Sequence, residues 1–327
     1  MIQYHTMFVK SYTRCYTLHM KIIVTHTSPD WDAIGSIWLI KKFLAGWQHA
    51  IEEFVPAGEI SDRIRGREVK HNGPIVTIGD DEVIHVDTGM GPLDHHQIQS
   101  EEVSAAGLTW QYIQKQLDAS GAHFTPEHKE AVSRIVKIIV DTDHFKEVFW
   151  PDAGADYIDF SVIASLDGLK LMRPEQDSYY VEWGVEVLNS LLHYFENKIW
   201  AEREIAINGK EFMTKWGKGM GFETINDTVL KLAQKKGYVV VVRKDPRKGY
   251  VRIKARPLVE SSMKNQESEE KDTDLTLVFE KLKKIDPDAT WYLHVSKKML
   301  LNGTVKNPKM IPTKLTLDEI IKVLEGI

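Results

Sequence analysis

Six side chains of related chemistry recur along the first half of the sequence: His26, Asp30, Asp32, Asp87, His95 and Asp141. They mix carboxylates with imidazoles and include no thiolate. That donor set suits Mn²⁺ or Mg²⁺, with Zn²⁺ and Co²⁺ as alternatives. Six side chains exceed what one ion takes once water is counted, so the economical arrangement is two ions sharing a carboxylate, about 3.5–4 Å apart. Such a pair clamps the attacking and leaving oxygens of phosphoryl transfer and furnishes hydroxide near neutral pH. Each residue also has a plain structural alternative: Asp30 and Asp32 as helix caps, Asp87 as a turn residue, Asp141 as a helix-end residue. A cap needs only one side chain, and two aspartates just after a histidine exceed that need.

The elements that would position these groups follow from patterning. Lys21-Ile22-Ile23-Val24 reads as a buried strand, after which Ile34, Ile37, Trp38, Ile40, Phe43, Leu44 and Trp47 recur at helical intervals. His26, Asp30 and Asp32 therefore fall where a strand hands over to a helix, the edge at which open α/β sheets bind ligands. Further strands are expected over residues 51–55, 75–78 and 83–86, the last running into Asp87. The Gly- and Pro-rich loop Gly89-Met90-Gly91-Pro92-Leu93 delivers Asp94-His95-His96, and a loop can aim two adjacent histidines the same way. Helices are expected over 105–117, from Thr125-Pro126 through Ile139 into Val140-Asp141-Thr142-Asp143, over 157–173, and over 178–207.

Asn208-Gly209-Lys210 breaks the last of these patterns and suggests a domain boundary. The fold class is thus α/β: residues 20–207 form a domain with a mainly parallel sheet flanked by helices, and 208–327 a smaller α+β domain. In the second domain the patterns predict a helix over 226–237 and a hairpin of 238–242 with 250–253. They also predict a flexible loop over 261–272, a helix over 275–285, a strand over 291–295 and a tight turn at Asn302-Gly303. Thr316-Leu317-Asp318-Glu319 is a capping box that opens a last helix.

Hydrophobic residues at 43% and charged residues at 27% are those of a globular protein. The net charge of −5 argues against a broad, non-specific grip on long nucleic acid, but allows a short oligonucleotide held at a few cations. A single cysteine, Cys15, rules out an intramolecular disulfide framework and fits a reducing, cytoplasmic compartment. No apolar stretch is long enough to span a bilayer. Residues 1–19 read as a disordered or spurious leader, with Met20 placed directly before the first strand.

Four segments in this order resemble the motifs of the DHH phosphoesterase superfamily, which includes exonucleases, nano-RNases and family II pyrophosphatases. They are His26-x-x-x-Asp30-x-Asp32-Ala33-Ile34-Gly35-Ser36, Asp87 after its strand, Asp94-His95-His96, and Val140-Asp141-Thr142. Asp94-His95-His96-Gln97 and Ser104-Ala105-Ala106-Gly107-Leu108 also resemble the melanocyte-proliferating-gene proteins, a DHH-like group regarded as exonucleases. The chain departs from that group in its Asp-x-Asp. It departs also in having Asn302-Gly303-Thr304 where the wider family carries a glycine-rich substrate loop.

The resemblance implies that His26, Asp30 and Asp87 hold one ion and that Asp32, Asp87, His95 and Asp141 hold the other. Asp143 is the rival to Asp141. His96 would then meet the scissile phosphate as donor or acid, and Asp94 would orient a histidine. Two divalent cations, Mn²⁺ first among them, would serve hydrolysis of a phosphodiester in a short oligonucleotide or small nucleotide. Hydrolysis of a phosphoanhydride such as pyrophosphate, and a non-catalytic nucleotide- or partner-binding role, are the alternatives. In the second domain, His294, Lys297, Lys298, Asn302, Gly303 and Thr304 are the expected substrate-holding residues, the lysines supplying charge to the part of the substrate away from the metals.

Overall fold

The computed structural model describes residues 19–257, 272–304 and 306–327. Most of the leader expected over 1–19 and most of the loop expected over 261–272 lie outside the described residues. The chain is mixed α/β and divides into two compact units, up to His193 and from Tyr194 onward. The division falls inside a long helix rather than at Asn208-Gly209-Lys210.

The first unit opens with β1 (Lys21–His26), α1 (Trp31–Phe43), β2 (Ile51–Val55), β3 (Lys70–Asn72), β4 (Ile75–Ile78) and β5 (Asp81–His85). These strands form one sheet in the order β2-β1-β5-β4-β3. The pairs β1–β2 and β1–β5 are parallel, whereas β4–β5 and β3–β4 are antiparallel. The sheet is therefore mixed rather than mainly parallel. Only two residues, Gly79 and Asp80, join β4 to β5, and a connection that short can make only a hairpin. The parallel core remains where it matters, because β1 and β5 run side by side and end together.

The unit continues with α2 (Ala105–Ser120), α3 (Pro126–Asp143), a short 3-10 turn (Lys146–Phe149), α4 (Asp156–Asp159), α5 (Val162–Met172) and the first half of α6 (Asp177–Asn208), whose second half belongs to the next unit. Every residue of α1 from Trp31 to Ile40 is buried, since α2 and α3 pack on it as well as the sheet. The single helix expected over 157–173 is broken at Phe160 and restarts because the Ser161 hydroxyl accepts the Ala164 N–H as a new N-cap.

The second unit adds β6 (Lys210–Thr214), β7 (Gly217–Glu223), α7 (Thr228–Lys235), β8 (Val240–Lys244), β9 (Val251–Ala255), α8 (Thr276–Ile285), β10 (Trp291–Leu293), β11 (Met299–Asn302) and α9 (Leu317–Glu325). Its six-stranded sheet has the order β10-β11-β9-β8-β7-β6, antiparallel except for β7–β8. One face buries Val240, Val242, Val251, Ile253 and Leu300 against α8 and α9. On the other face Met220, Phe222 and Val241 pack against α7 and the last turns of α6. No helix among the described residues is long and apolar enough to cross a membrane.

Candidate metal centre

The site grows from the shared end of β1 and β5. β1 finishes at His26, and Asp30 then caps α1, its Oδ1 accepting the N–H groups of Asp32 (2.9 Å) and Ala33 (3.1 Å). Beyond β5, Val86 N–H donates to the Val24 carbonyl at 2.9 Å, so Asp87 emerges beside the end of β1. Asp87 itself takes φ 52°, a left-handed conformation that aspartate tolerates better than most residues. Its N–H closes the following loop on the Leu93 carbonyl at 3.1 Å.

Asp94, fully buried, holds that loop together. Its Oδ2 accepts Met90 N–H at 2.7 Å, and its Oδ1 accepts His96 N–H at 3.0 Å while meeting His96 Nδ1 at 2.6 Å. The rings of His95 and His96 lie 4.6 Å apart. Asp32 is fixed from elsewhere. Its Oδ2 accepts Ala105 N–H at 2.7 Å and its Oδ1 accepts Ala106 N–H at 2.8 Å, both in the first turn of α2.

These constraints converge on His95. Its Nε2 stands 3.5 Å from Asp87 Oδ1, 3.6 Å from Asp143 Oδ2 and 3.7 Å from Asp32 Oδ2. Such separations are too long for hydrogen bonds, but close to the roughly 3.0–3.5 Å between two ligands that each sit about 2.1 Å from one ion. Asp87 Oδ1 and Asp143 Oδ2 are buried acceptors with no hydrogen-bond partner. An unpaired buried carboxylate oxygen is costly, and a cation removes that cost. On the other side, Asp87 Oδ2 lies 3.2 Å from His26 Nε2, and the opposite ring nitrogen of His26 faces the Thr27 carbonyl at 2.8 Å.

Three groups bring metal-binding atoms within 4.8 Å of one another among the described residues: His26, Asp30 and Asp87; Asp87, His95 and His96; and His95, Asp143 and His144. Asp87 belongs to two of them. This buried acidic and imidazole cluster can hold a metal ion.

The charges are mutually dependent. Burial opposes the charged forms of His26 and Asp87, yet the bond between them outweighs it, raising His26 to about 9 and holding Asp87 down at about 2. His95 rises to about 9 through Asp87, against burial, with Asp143 and Asp32 adding to the rise. Asp32 is pushed well up by burial and by the like charges of Asp87 and Asp143, and Asp143 is raised by burial first. Without a cation, the cluster carries more negative charge than its surroundings stabilise.

Asp141 is not among the converging groups. It lies within α3, where its Oδ1 accepts from Lys137 Nζ at 2.6 Å, and Asp143, two residues on, faces His95 instead. The helix continues through Asp143, and the apolar run ending at Val140 does not show which face each of the two aspartates takes. His144, which belongs to none of the sequence motifs, joins the cluster's edge and bonds the Val103 carbonyl at 3.0 Å.

In the second unit the expected substrate residues have partners within the fold. Lys297 pairs with Asp274 at 2.9 Å, and Lys298 pairs with Asp272 and bonds the Thr273 carbonyl at 2.7 Å. Lys297, Asp272 and Asp274 line a groove of about 460 Å³ in which the carboxylates offset the cations. Asn302 is no turn residue. It ends β11 fully buried, its Nδ2 donating to the carbonyls of Thr290 and Ile311 and its Oδ1 accepting Thr313 N–H. Gly303, at φ 79°, lies so close to the Tyr250 ring that a Cβ there would stand 2.0 Å from it. His294 Nδ1 bonds Ser296 in the hairpin turn, and Thr304 bridges to Asn307. Compared with known protein families and with curated proteins, the chain matches none.

Proposed function

We propose that the chain is a divalent-cation-dependent phosphoesterase that hydrolyses phosphodiester bonds in short oligonucleotides or small nucleotides. One observation carries the reading: two unpartnered, buried carboxylate oxygens, of Asp87 and Asp143, converge on His95 Nε2 at the end of a parallel strand pair. The order of the Asp-x-Asp, strand-end Asp and Asp-His-His segments, which resembles the DHH phosphoesterases, supports the same reading.

In this reading His26, Asp30 and Asp87 would hold one Mn²⁺ or similar ion, and Asp32, Asp87, His95 and Asp143 a second. Such ions supply Lewis-acid stabilisation of phosphoryl oxygens and a nucleophile at neutral pH. Asp87 is the shared residue because each of its oxygens faces a different histidine. Thr27 orients His26 by taking its far ring nitrogen, as carbonyls commonly do for ligating imidazoles. Asp94 fixes His96 through Nδ1, leaving Nε2 as the nitrogen that can bond the phosphate or give a proton to the leaving oxygen.

The test is a panel of dinucleotide, short RNA, short DNA, bis(p-nitrophenyl) phosphate and pyrophosphate, each with Mn²⁺ and with EDTA. Mn²⁺-dependent cleavage of the diesters, lost on the order of 100-fold in Asp87→Asn, is the expected result. Cleavage of pyrophosphate alone would replace the reading with a phosphoanhydride hydrolase. Mn²⁺ binding with no hydrolysis at all would make the chain a binding protein.

A further inference from the structure

The second sheet carries cations that its acidic residues do not match. Register places Arg243 opposite Arg252, Leu301 opposite Arg252, Tyr292 opposite Leu301, and Met299 opposite Lys254. Side chains directly opposite in antiparallel pairs share a face, so all six stand on one side of the sheet. That side is the reverse of the one buried under α8 and α9. α7 covers it over Val241 and Met220, but Arg252, Lys254, Met299 and Leu301 keep partial exposure and Tyr292 is 48% exposed.

Asp227 binds both Arg243 and Arg252, and Asp245 lies 3.9 Å from Arg243. Lys254, in contrast, makes no ion pair among the described residues, and neither does Lys231 on the exposed side of α7. Burial first, then the neighbouring Arg252 and Lys231, hold Lys254 below its usual value, as uncompensated positive charge does. This surplus belongs to a chain whose net charge is −5.

We propose that this strip over β9, β11 and β10 is a docking surface for single-stranded oligonucleotide. Lys254 and Lys231 hold its phosphates, and Tyr292 offers its ring to a base. Lys254 lies two strands across and two residues along from Tyr292, roughly 12 Å, which exceeds one phosphate and suits adjoining nucleotides. Flat apolar surface from Leu301 and Met299 lies between them, as in sheets that combine stacking with a basic track. An acidic peptide would use the lysines but leave the ring and the apolar surface idle. The phosphoesterase reading supplies only the reason why this chain should meet such a ligand.

The experiment is fluorescence anisotropy of 5′-fluorescein hexanucleotides, DNA and RNA, with the full chain in EDTA, titrated at several salt concentrations. Binding should weaken as salt rises. Lys231→Gln and Lys254→Gln together should lower the log–log salt slope by about 1.4, at roughly 0.7 per phosphate contact on single strands. Tyr292→Leu should weaken binding about fivefold or more, the lower end for one stacked base. Lys231 is exposed, so its variant alone keeps the test open should Lys254→Gln fold poorly.

Absence of binding, binding unmoved by all three substitutions, or equal competition by polyglutamate would overturn the proposal. So would self-association that Tyr292→Leu breaks while no oligonucleotide binds. Hydrolysis of bis(p-nitrophenyl) phosphate by the unsubstituted chain with Mn²⁺, run in parallel, separates the two readings. Hydrolysis without binding removes only the strip, and binding without hydrolysis removes only the phosphoesterase.

Discussion

Asp141 and Asp143 differ by two positions on α3, and on a helix that turns one side chain about 200° from the other. One consequently meets Lys137 and the other faces His95. Asp143→Asn is expected to lower Mn²⁺ affinity tenfold or more, while Asp141→Asn stays within about twofold. Calorimetric titration of EDTA-stripped protein checks both, and the reverse order would return the ligand role to Asp141. The strand-end and loop ligands were legible because each follows a short apolar run or a Gly-rich loop, features written in adjacent residues. Choosing between two aspartates needs the helix phase near its last turn, and an apolar run fixes that phase poorly.

At the scale of elements, Asp32 ties two helices together. It leaves α1 and caps the first turn of α2, where helix N–H groups lack partners and favour a negative charge. Asp32→Asn puts an amide N–H₂ against one of those donors. It also removes a buried charge that Asp87 and Asp143 oppose, so metal-free urea unfolding is expected to show a loss of no more than about 1 kcal/mol, less than the roughly 2 kcal/mol of an orphaned helix donor alone. His85 offers a pH-dependent check on β5. Its Nε2 accepts Ser61 N–H at 3.0 Å, and burial pushes it down to about 4. The folded form therefore binds fewer protons than the unfolded form, so this contribution is complete above about 6.5 and is lost as pH falls toward 4. Between pH 7.5 and 4.5 the native protein should lose about 2 to 3 kcal/mol more stability than His85→Gln does, read from urea unfolding at the two values.

Other elements leave little mark in the sequence for similar reasons. β7 shows no strand pattern in the sequence because Gly217, Gly219 and Gly221 dilute it, and β6, five residues long, has no hairpin signal without it. Gly219 is there to admit the Phe212 ring, which a Cβ would meet at 2.3 Å. Asn302-Gly303 looked like a hairpin turn, but its amide satisfies three backbone groups inside the unit. The actual reversal between β10 and β11 contains Lys297 at φ 57°, a conformation that nothing in the local sequence announces.

For the molecule as a whole, the charge balance of −5 conceals two regions of opposite need: a buried acidic cluster in the first unit and a half-exposed basic strip in the second. The cluster's parts come from four distant stretches, at residues 26–32, 87–96, 104–106 and 143–144. Bringing such stretches together is slow work for an unfolded chain, and until it is done an ion finds no more than isolated side chains. A bound cation would therefore act as a late clasp rather than a nucleus. Saturating Mn²⁺ is expected to slow unfolding in stopped-flow denaturant jumps while leaving the refolding rate within about twofold. An accelerated refolding arm would mean that the ligands assemble before the fold does. The same logic implies that a newly made chain acquires its metal only after the sheet and both helices have closed around Asp32, so that choice among competing ions is exercised by a finished cavity.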